Sequence, residues 1–255
     1  MRIRDLVVTG VCRSGTSLFT KLLNDCLDNL VATNEVADGP RALPAYFRNV
    51  RRALLEGRPI GNRFDRSGEL ATNSWDQGPH GGATVGEWRP DKPLTPDFCL
   101  ATKGMLGFID RLEKISWPTI VIVRDPAYTL GSWNLPKTRF QHVAQIMDHD
   151  LHQWWRHNPF AWTREDRLGR QAEYWEWLAR KIAGRAPGVL LVRYEDLVGD
   201  AGATLGRVGR WIGCGMSIEA PVLESMNQDD RYPAMPEIRP VVEEVCQTRR
   251  AFGYA

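Results

Sequence analysis

A short segment near the amino terminus carries the residue types of an anion-binding loop. Residues 10–17 read Gly-Val-Cys-Arg-Ser-Gly-Thr-Ser, and four residues separate Gly10 from Gly15. Backbone N–H groups in such a turn form a concave anion site, and a following helix directs the positive end of its dipole at the same anion. The segment therefore predicts a loop that binds a phosphate-like group.

The residue types in this loop indicate which kind of phosphate-containing ligand it would bind. A loop that holds a magnesium nucleoside triphosphate carries Lys after its second glycine, whereas Thr16 follows Gly15 here. The hydroxyls of Thr16 and Ser17 and the cation of Arg13 replace that lysine, which favours one terminal phosphate with a group attached to it. Taken alone, the segment is equally consistent with a polar turn that binds nothing.

A second cationic position follows the strongly β-branched run at residues 119–123. Arg124 comes directly after this run, Asp125 and Pro126 are typical of a helix start, and Ser132 lies eight residues beyond Arg124. An Arg at the carboxyl end of a strand in an α/β sheet lies where such sheets bind ligands, and its guanidinium can contact two phosphate oxygens. The alternative is that Arg124 pairs with a surface carboxylate and Ser132 only packs.

The elements that would position these residues alternate along the chain. Short apolar runs predict strands at residues 6–9, 98–102, 119–123 and 189–192. Apolar residues at helical spacing predict helices from Ser17 and over 43–55, 105–115 and 203–212. A further helix is predicted to start at Asp125, and helices dominate from there to about residue 183. This alternation predicts an α/β fold with a mainly parallel sheet.

We predict that residues 1–255 form a single domain. Two intervals within it differ in composition from the rest of the chain. Residues 57–97 are dense in Gly and Pro with little periodicity, which predicts a long loop without regular structure, of the kind that forms a lid or a substrate-facing insertion. Residues 135–187 contain five of the ten Trp, whose rings pack in cores or stack on sugars and other rings.

Overall composition excludes several classes of function. The formal net charge of +2 gives no global basic field for nucleic-acid binding. No apolar segment is long enough to span a membrane or to form a signal peptide. The five cysteines are scattered without a CxxC pair, so we expect neither a zinc site nor a disulfide framework. This use of cysteine fits a reducing compartment, and we therefore expect a cytoplasmic location.

Four segments, in this order along the chain, resemble the family of sulfotransferases that use 3′-phosphoadenosine 5′-phosphosulfate (PAPS), in particular its bacterial and carbohydrate-type members. They are residues 11–17, residues 101–103 (Ala-Thr-Lys), residues 121–126 with Ser132, and residues 192–197 (Val-Arg-Tyr-Glu-Asp-Leu). The closing Phe-Gly-Tyr at residues 252–254 is also similar to the usual end of the family.

The resemblance implies a P-loop-like three-layer fold, with a central parallel sheet flanked by helices, and PAPS as co-substrate without a metal. It implies that Arg124 and Ser132 hold the 3′-phosphate and that Tyr194 lies near the adenine. The 5′-phosphosulfate would be held by five loop residues: Arg13, Ser14, Gly15, Thr16 and Ser17. Residues 57–97 and 135–187 would recognise a hydroxyl-bearing carbohydrate, lipid or natural-product acceptor.

Sulfuryl transfer needs cations near the leaving oxygen and a base for the acceptor hydroxyl. Arg13 and Lys103, the latter at a strand end, are the candidate cations. For the base we favour Glu35, because many bacterial and carbohydrate sulfotransferases have an acid soon after the first helix, and Asn34-Glu35 resembles that placement. His80 is the second candidate, since other members use histidine.

Two other functions remain as alternatives. A P-loop nucleotide or small-molecule kinase would need the lysine that the loop lacks and an acid for magnesium, for which only Asp125 is available. A non-catalytic module with a degenerate loop would bind adenosine 3′,5′-bisphosphate without turnover. Neither the oligomeric state nor the acceptor follows from the sequence.

Overall fold

A central sheet of five parallel strands organises the chain in a computed structural model. It describes residues 3–34, 42–72, 83–104, 109, 116–135, 163–184 and 188–255. The sheet contains β1 (Asp5–Gly10), β2 (Leu30–Asn34), β5 (Cys99–Lys103), β6 (Thr119–Val123) and β7 (Val189–Arg193), in the spatial order β2-β5-β1-β6-β7. Every neighbouring pair is parallel, so all five carboxyl ends lie at one edge.

Helices cover both faces of this sheet. They are α1 (Thr16–Cys26), α2 (Leu43–Leu55), α3 (Pro126–Trp133), α4 (Arg167–Ala183), α5 (Tyr194–Gly199), α6 (Ala201–Ile212) and α7 (Met235–Val245). Apolar residues of α1 and α6 pack on one face of the sheet. Those of α2 pack on the other face at the β2 side, and those of α3, α4 and α7 on the same face at the β6 side. The predicted three-layer α/β fold is therefore confirmed.

Alternation of side chains along β1 explains how both faces become apolar. Leu6 and Val8 contribute to the core under α1, whereas Val7 contributes to the core under α2. Strands buried on both faces read as continuous apolar runs, which is why the sequence pattern at these strands was informative. The predicted helix over residues 105–115 lies outside the described residues apart from Ile109, which is buried.

Three strands were not predicted. The run at β2 is buried throughout and pairs with β5 at the edge of the sheet. Within residues 57–97, β3 (Ile60–Phe64) and β4 (Thr84–Trp88) form an antiparallel hairpin, so the interpretation of this interval as a loop without regular structure was wrong. β4 is largely exposed and lacks the apolar alternation that marks a half-buried strand.

The hairpin is fastened to the free edge of β2 by one buried side chain. Asn62 of β3 accepts a hydrogen bond from the Asn34 N–H (3.0 Å) through Oδ1 and donates from Nδ2 to the Ala32 carbonyl (3.2 Å). These bonds satisfy backbone groups that an edge strand would otherwise expose. The carboxyl end of β2 is thereby fixed.

Candidate functional site

Those predicted site residues that the structure describes lie at or near the edge where the five parallel strands end. β1 is the central strand, and the loop that follows it lies between the ends of β5 and β6. Lys103 is the last residue of β5, and Arg124 directly follows β6. Two cations thus lie at the strand ends that flank the glycine loop, at the edge where open α/β sheets bind ligands.

The glycine loop is held against the sheet by its own serine. The Ser14 hydroxyl lies 2.6 Å from the Val11 carbonyl oxygen and 3.0 Å from that of Ile122, and the Ser14 N–H donates to Val11. A Cβ on Gly10 would come 2.4 Å from the Ile122 carbonyl oxygen, so only glycine fits at this crossing. In this structure Ser14 shapes the loop, and its part in anion binding stays a prediction.

The second glycine carries the turn into α1. Gly15 has a φ of +87°, a region that residues with a Cβ adopt at a cost, and its α-carbon faces the ring of Tyr194. A Cβ there would lie 2.8 Å from Tyr194 Cδ2. The spacing of the two glycines therefore reflects two close approaches, one to β6 and one to the start of α5.

Replacing Gly15 by Ala should destabilise the protein by more than the strain of a positive φ alone, which is about 1 to 3 kcal/mol. Gly68→Ala is the matched control, because Gly68 has a φ of +85° and no atom within 4 Å of an added Cβ. Urea unfolding of both variants measures the difference. Equal destabilisation would show that the Tyr194 contact adds nothing.

Arg13 connects the glycine loop to the helix after β6. Its Nε donates to the Ser132 hydroxyl at 3.0 Å, although 119 positions separate the two residues in the chain. Trp133 Nε1 also donates to the Cys12 carbonyl at 3.0 Å. The structure therefore brings together the two predicted anion-binding segments, which the sequence analysis had inferred separately.

Arg124 is a buried cation surrounded by neutral acceptors. Only 4% of it is exposed, and its guanidinium donates to Asn227 Oδ1 (2.7 Å), to the carbonyls of Arg13 (3.2 Å) and Met226 (3.0 Å), and to the Tyr232 hydroxyl (2.9 Å). Among the residues that the structure describes, no carboxylate forms an ion pair with it. The alternative of a surface ion pair is therefore not what the structure shows, and a buried positive charge without an anion is costly.

Two tyrosines complete the surroundings of Arg124. The guanidinium carbon lies 4.7 Å from the centre of the Tyr194 ring and 5.8 Å from that of Tyr232, within range of cation–π attraction. The Tyr194 hydroxyl accepts the Met226 N–H at 3.0 Å. Burial raises the pKa of Tyr194, so this hydroxyl stays protonated. Its ring is positioned jointly by the glycine loop and by Arg124.

Lys103 reaches the first turn of α1. Its Nζ donates to the Ser17 hydroxyl at 2.9 Å, and the lysine is only 5% exposed. Lys103 is also paired in register with Asn34 of β2. A lysine predicted from its place at a strand end therefore lies against the predicted phosphosulfate loop.

The two candidate bases, Glu35 and His80, lie outside the described residues, as do Trp154, Trp155 and Trp162. The residue before Glu35 is described: the Asn34 side chain donates to the Ala71 carbonyl at 3.1 Å, and its backbone is held by Asn62. Of the Trp-rich segment, Trp175 is fully buried in the core.

Sequence reasoning missed Asn227 and Tyr232, which contact Arg124 from a segment without strands or long helices. No local periodicity or motif marks them, because their contacts arise only from the tertiary fold. In the described ranges, no cluster of His, Cys, Asp and Glu side chains is arranged to hold a metal ion. No helix there has both the length and the apolar character to cross a membrane.

Comparison with known proteins completes the description. No protein-family model and no curated protein matches the chain. Several of the solved structures that resemble it are sulfotransferases. The sulfotransferase domain from the curacin biosynthetic pathway gives a TM-score of 0.48 at 12% identity, covering 100% of this chain and 99% of that one. A sulfotransferase from Alicyclobacillus acidocaldarius gives 0.43 at 9% identity and covers 96% of each chain. A mouse sulfotransferase complexed with PAP gives 0.41 at 12% identity, with 96% of this chain and 65% of that chain covered.

Proposed function

We propose that this protein is a sulfotransferase that moves a sulfuryl group from PAPS to a hydroxyl of a carbohydrate, lipid or natural-product acceptor. The observation that carries the proposal is Arg124, a buried guanidinium that meets only neutral acceptors among the described residues. Arg124 donates a hydrogen bond to the Arg13 carbonyl of the glycine loop, which lacks the lysine of a triphosphate site. This arrangement suits a nucleotide that carries one phosphate for the loop and a second, separate phosphate for Arg124.

Each part of the nucleotide would have its own residues. The loop would hold the 5′-phosphosulfate through the five residues Arg13, Ser14, Gly15, Thr16 and Ser17, at the amino end of α1. Arg124 and Ser132 would hold the 3′-phosphate. The ring of Tyr194, fixed between Gly15 and Arg124, would pack beside the adenine. The hydrogen bond from Arg13 to Ser132 supports two phosphate subsites that would lie side by side.

The reaction would be an in-line displacement at sulfur. The acceptor oxygen forms a bond to sulfur, the bond from sulfur to the 5′-phosphate oxygen breaks, and adenosine 3′,5′-bisphosphate leaves. Negative charge grows on that bridging oxygen, where Lys103 and Arg13 would stabilise it. The proton of the acceptor hydroxyl would pass to Glu35, with His80 as the alternative base.

Adenosine 3′,5′-bisphosphate should raise the melting temperature far more than ATP with magnesium does. At a ligand concentration of about 100 times Kd the bisphosphate should stabilise the folded state by about 2.7 kcal/mol. Differential scanning fluorimetry with both ligands measures this.

A larger shift with ATP would contradict the proposal and favour the kinase. A shift with the bisphosphate but no turnover with PAPS and any of a broad panel of hydroxyl acceptors would favour the non-catalytic module.

A further inference from the structure

Asn227 lies between the buried guanidinium of Arg124 and the carboxylate of Glu195. Its Oδ1 accepts the Arg124 Nε–H at 2.7 Å, and its Nδ2 donates to Glu195 Oε1 at 2.8 Å. This orientation of the amide is the one that both neighbours require, because a guanidinium only donates and a carboxylate only accepts. Arg124 and Glu195 are thus linked through a neutral group rather than paired directly.

Glu195 is held in place by donors on its other sides. The Asp125 N–H donates to Oε1 at 3.0 Å, and the Tyr254 hydroxyl donates to Oε2 at 2.6 Å. Burial, together with the neighbouring Glu195 carboxylate, raises the pKa of Tyr254, so its hydroxyl remains a proton donor. These neutral donors satisfy the Glu195 carboxylate without Arg124. The Asn227 amide can therefore remain between the two charged groups.

The neutral amide of Asn227 affects which anions Arg124 can bind. A carboxylate in direct contact would form a charge-assisted pair with the guanidinium, and an incoming phosphate would have to compete with it. That carboxylate would also repel the phosphate, because like charges brought together at such a site oppose binding. An amide holds the guanidinium in the same orientation but brings no negative charge.

We propose that Asn227 is a positioning residue that gives the nucleotide site its preference for a 3′-phosphate. It orients Arg124 through Nε and keeps the Glu195 carboxylate one side chain away from the guanidinium. This inference rests on the proposed function, because it assumes that a nucleotide with a 3′-phosphate is the ligand. Asn227 does not touch the reacting atoms; it acts through Arg124.

The test compares affinities for adenosine 3′,5′-bisphosphate and for AMP, which lacks the 3′-phosphate, by isothermal titration calorimetry. Asn227→Asp keeps the shape of the side chain and places a carboxylate on Arg124. Its preference for the bisphosphate over AMP should fall by at least about tenfold, since two anions then compete for one cation. Affinity for AMP should stay close to that of the wild type, which also shows that the variant is folded.

Two further variants test whether the position of the carboxylate next to Arg124, or the added negative charge alone, causes the loss of preference. Asn227→Asp combined with Glu195→Gln keeps the net charge of the wild type and only moves the carboxylate next to Arg124, so the preference should again be lost. This double variant also avoids two adjacent carboxylates, which guards against a folding defect of the single variant. Gln228→Glu adds the same charge one residue further on, outside these contacts, and should leave the preference unchanged.

The outcomes distinguish the two proposals. A wild-type protein that does not prefer the bisphosphate over AMP overturns the proposed function and this inference with it. A wild-type preference that survives in both variants carrying Asn227→Asp overturns the inference alone. An equal loss in Gln228→Glu also overturns it, because added charge rather than its position would then be the cause.

Discussion

Exchange of Glu35 for Gln should lower turnover by a factor of roughly 10² to 10⁴ while leaving the affinity for PAPS nearly unchanged. Under the proposed mechanism Glu35 removes the proton of the acceptor hydroxyl and does not contact the nucleotide. Asn34, the residue before it, is paired with Lys103 and anchored by Asn62. Asn34, which directly precedes Glu35, is therefore held beside the lysine that would act on the leaving group. Single-turnover rates with saturating PAPS measure the effect.

The pH dependence of turnover identifies which candidate is the base. A base must be deprotonated to act, so activity falls as the pH drops below its pKa, and this acidic limb should disappear in Glu35→Gln. His80→Ala serves as the control and should keep the limb. If Glu35→Gln retains near-normal turnover and His80→Ala abolishes it, histidine is the base and residues 57–97 contribute to catalysis.

Replacing Lys103 by Ala should lower kcat by a factor on the order of 10², because its contact would strengthen only as charge develops on the leaving oxygen. Replacing Arg124 by Ala should instead raise the KM for PAPS and change kcat little. The 3′-phosphate does not react, so Arg124 would contribute equally to binding the substrate and the transition state. Steady-state kinetics with varied PAPS measure both parameters.

Lys21→Ala is the matched control for the lysine exchange. Lys21 is on α1, like the Ser17 that Lys103 contacts, but its Nζ pairs with Asp25 at 2.7 Å. Its removal should leave kcat unchanged. The division of roles would be refuted if Lys103→Ala and Arg124→Ala raised KM alike with kcat unaltered.

Much of the fold and part of the site followed from sequence because the relevant signals are local. The strand, glycine loop and helix around Gly10 and Gly15 are adjacent in the chain, and β6, Arg124 and the cap at Asp125 are likewise continuous. Asp125 does cap α3, accepting the Ala127 N–H at 2.7 Å. Four of the five parallel strands were predicted because they read as short apolar runs, whereas β2 was missed although it is buried throughout.

The rest depended on contacts between distant segments. Asn227 and Tyr232 lie more than 100 positions from Arg124, and nothing in their local sequence indicates that they orient it. The hairpin of β3 and β4 was missed because each strand is interrupted by glycine and β4 is largely exposed. Nor could the sequence show that the Ser14 hydroxyl is engaged with carbonyls of the loop and of β6.

The central place of β1 in the sheet has a consequence for the biosynthesis of the protein. The loop after β1 is synthesised before β5 and β6, which flank it, and before Tyr194 and Tyr254, which contact Gly15 and Glu195. The proposed nucleotide site would therefore be incomplete until these later residues have left the ribosome. Nucleotide in the cell would stabilise the chain only after that point, and the segments made earlier must avoid aggregation without its help.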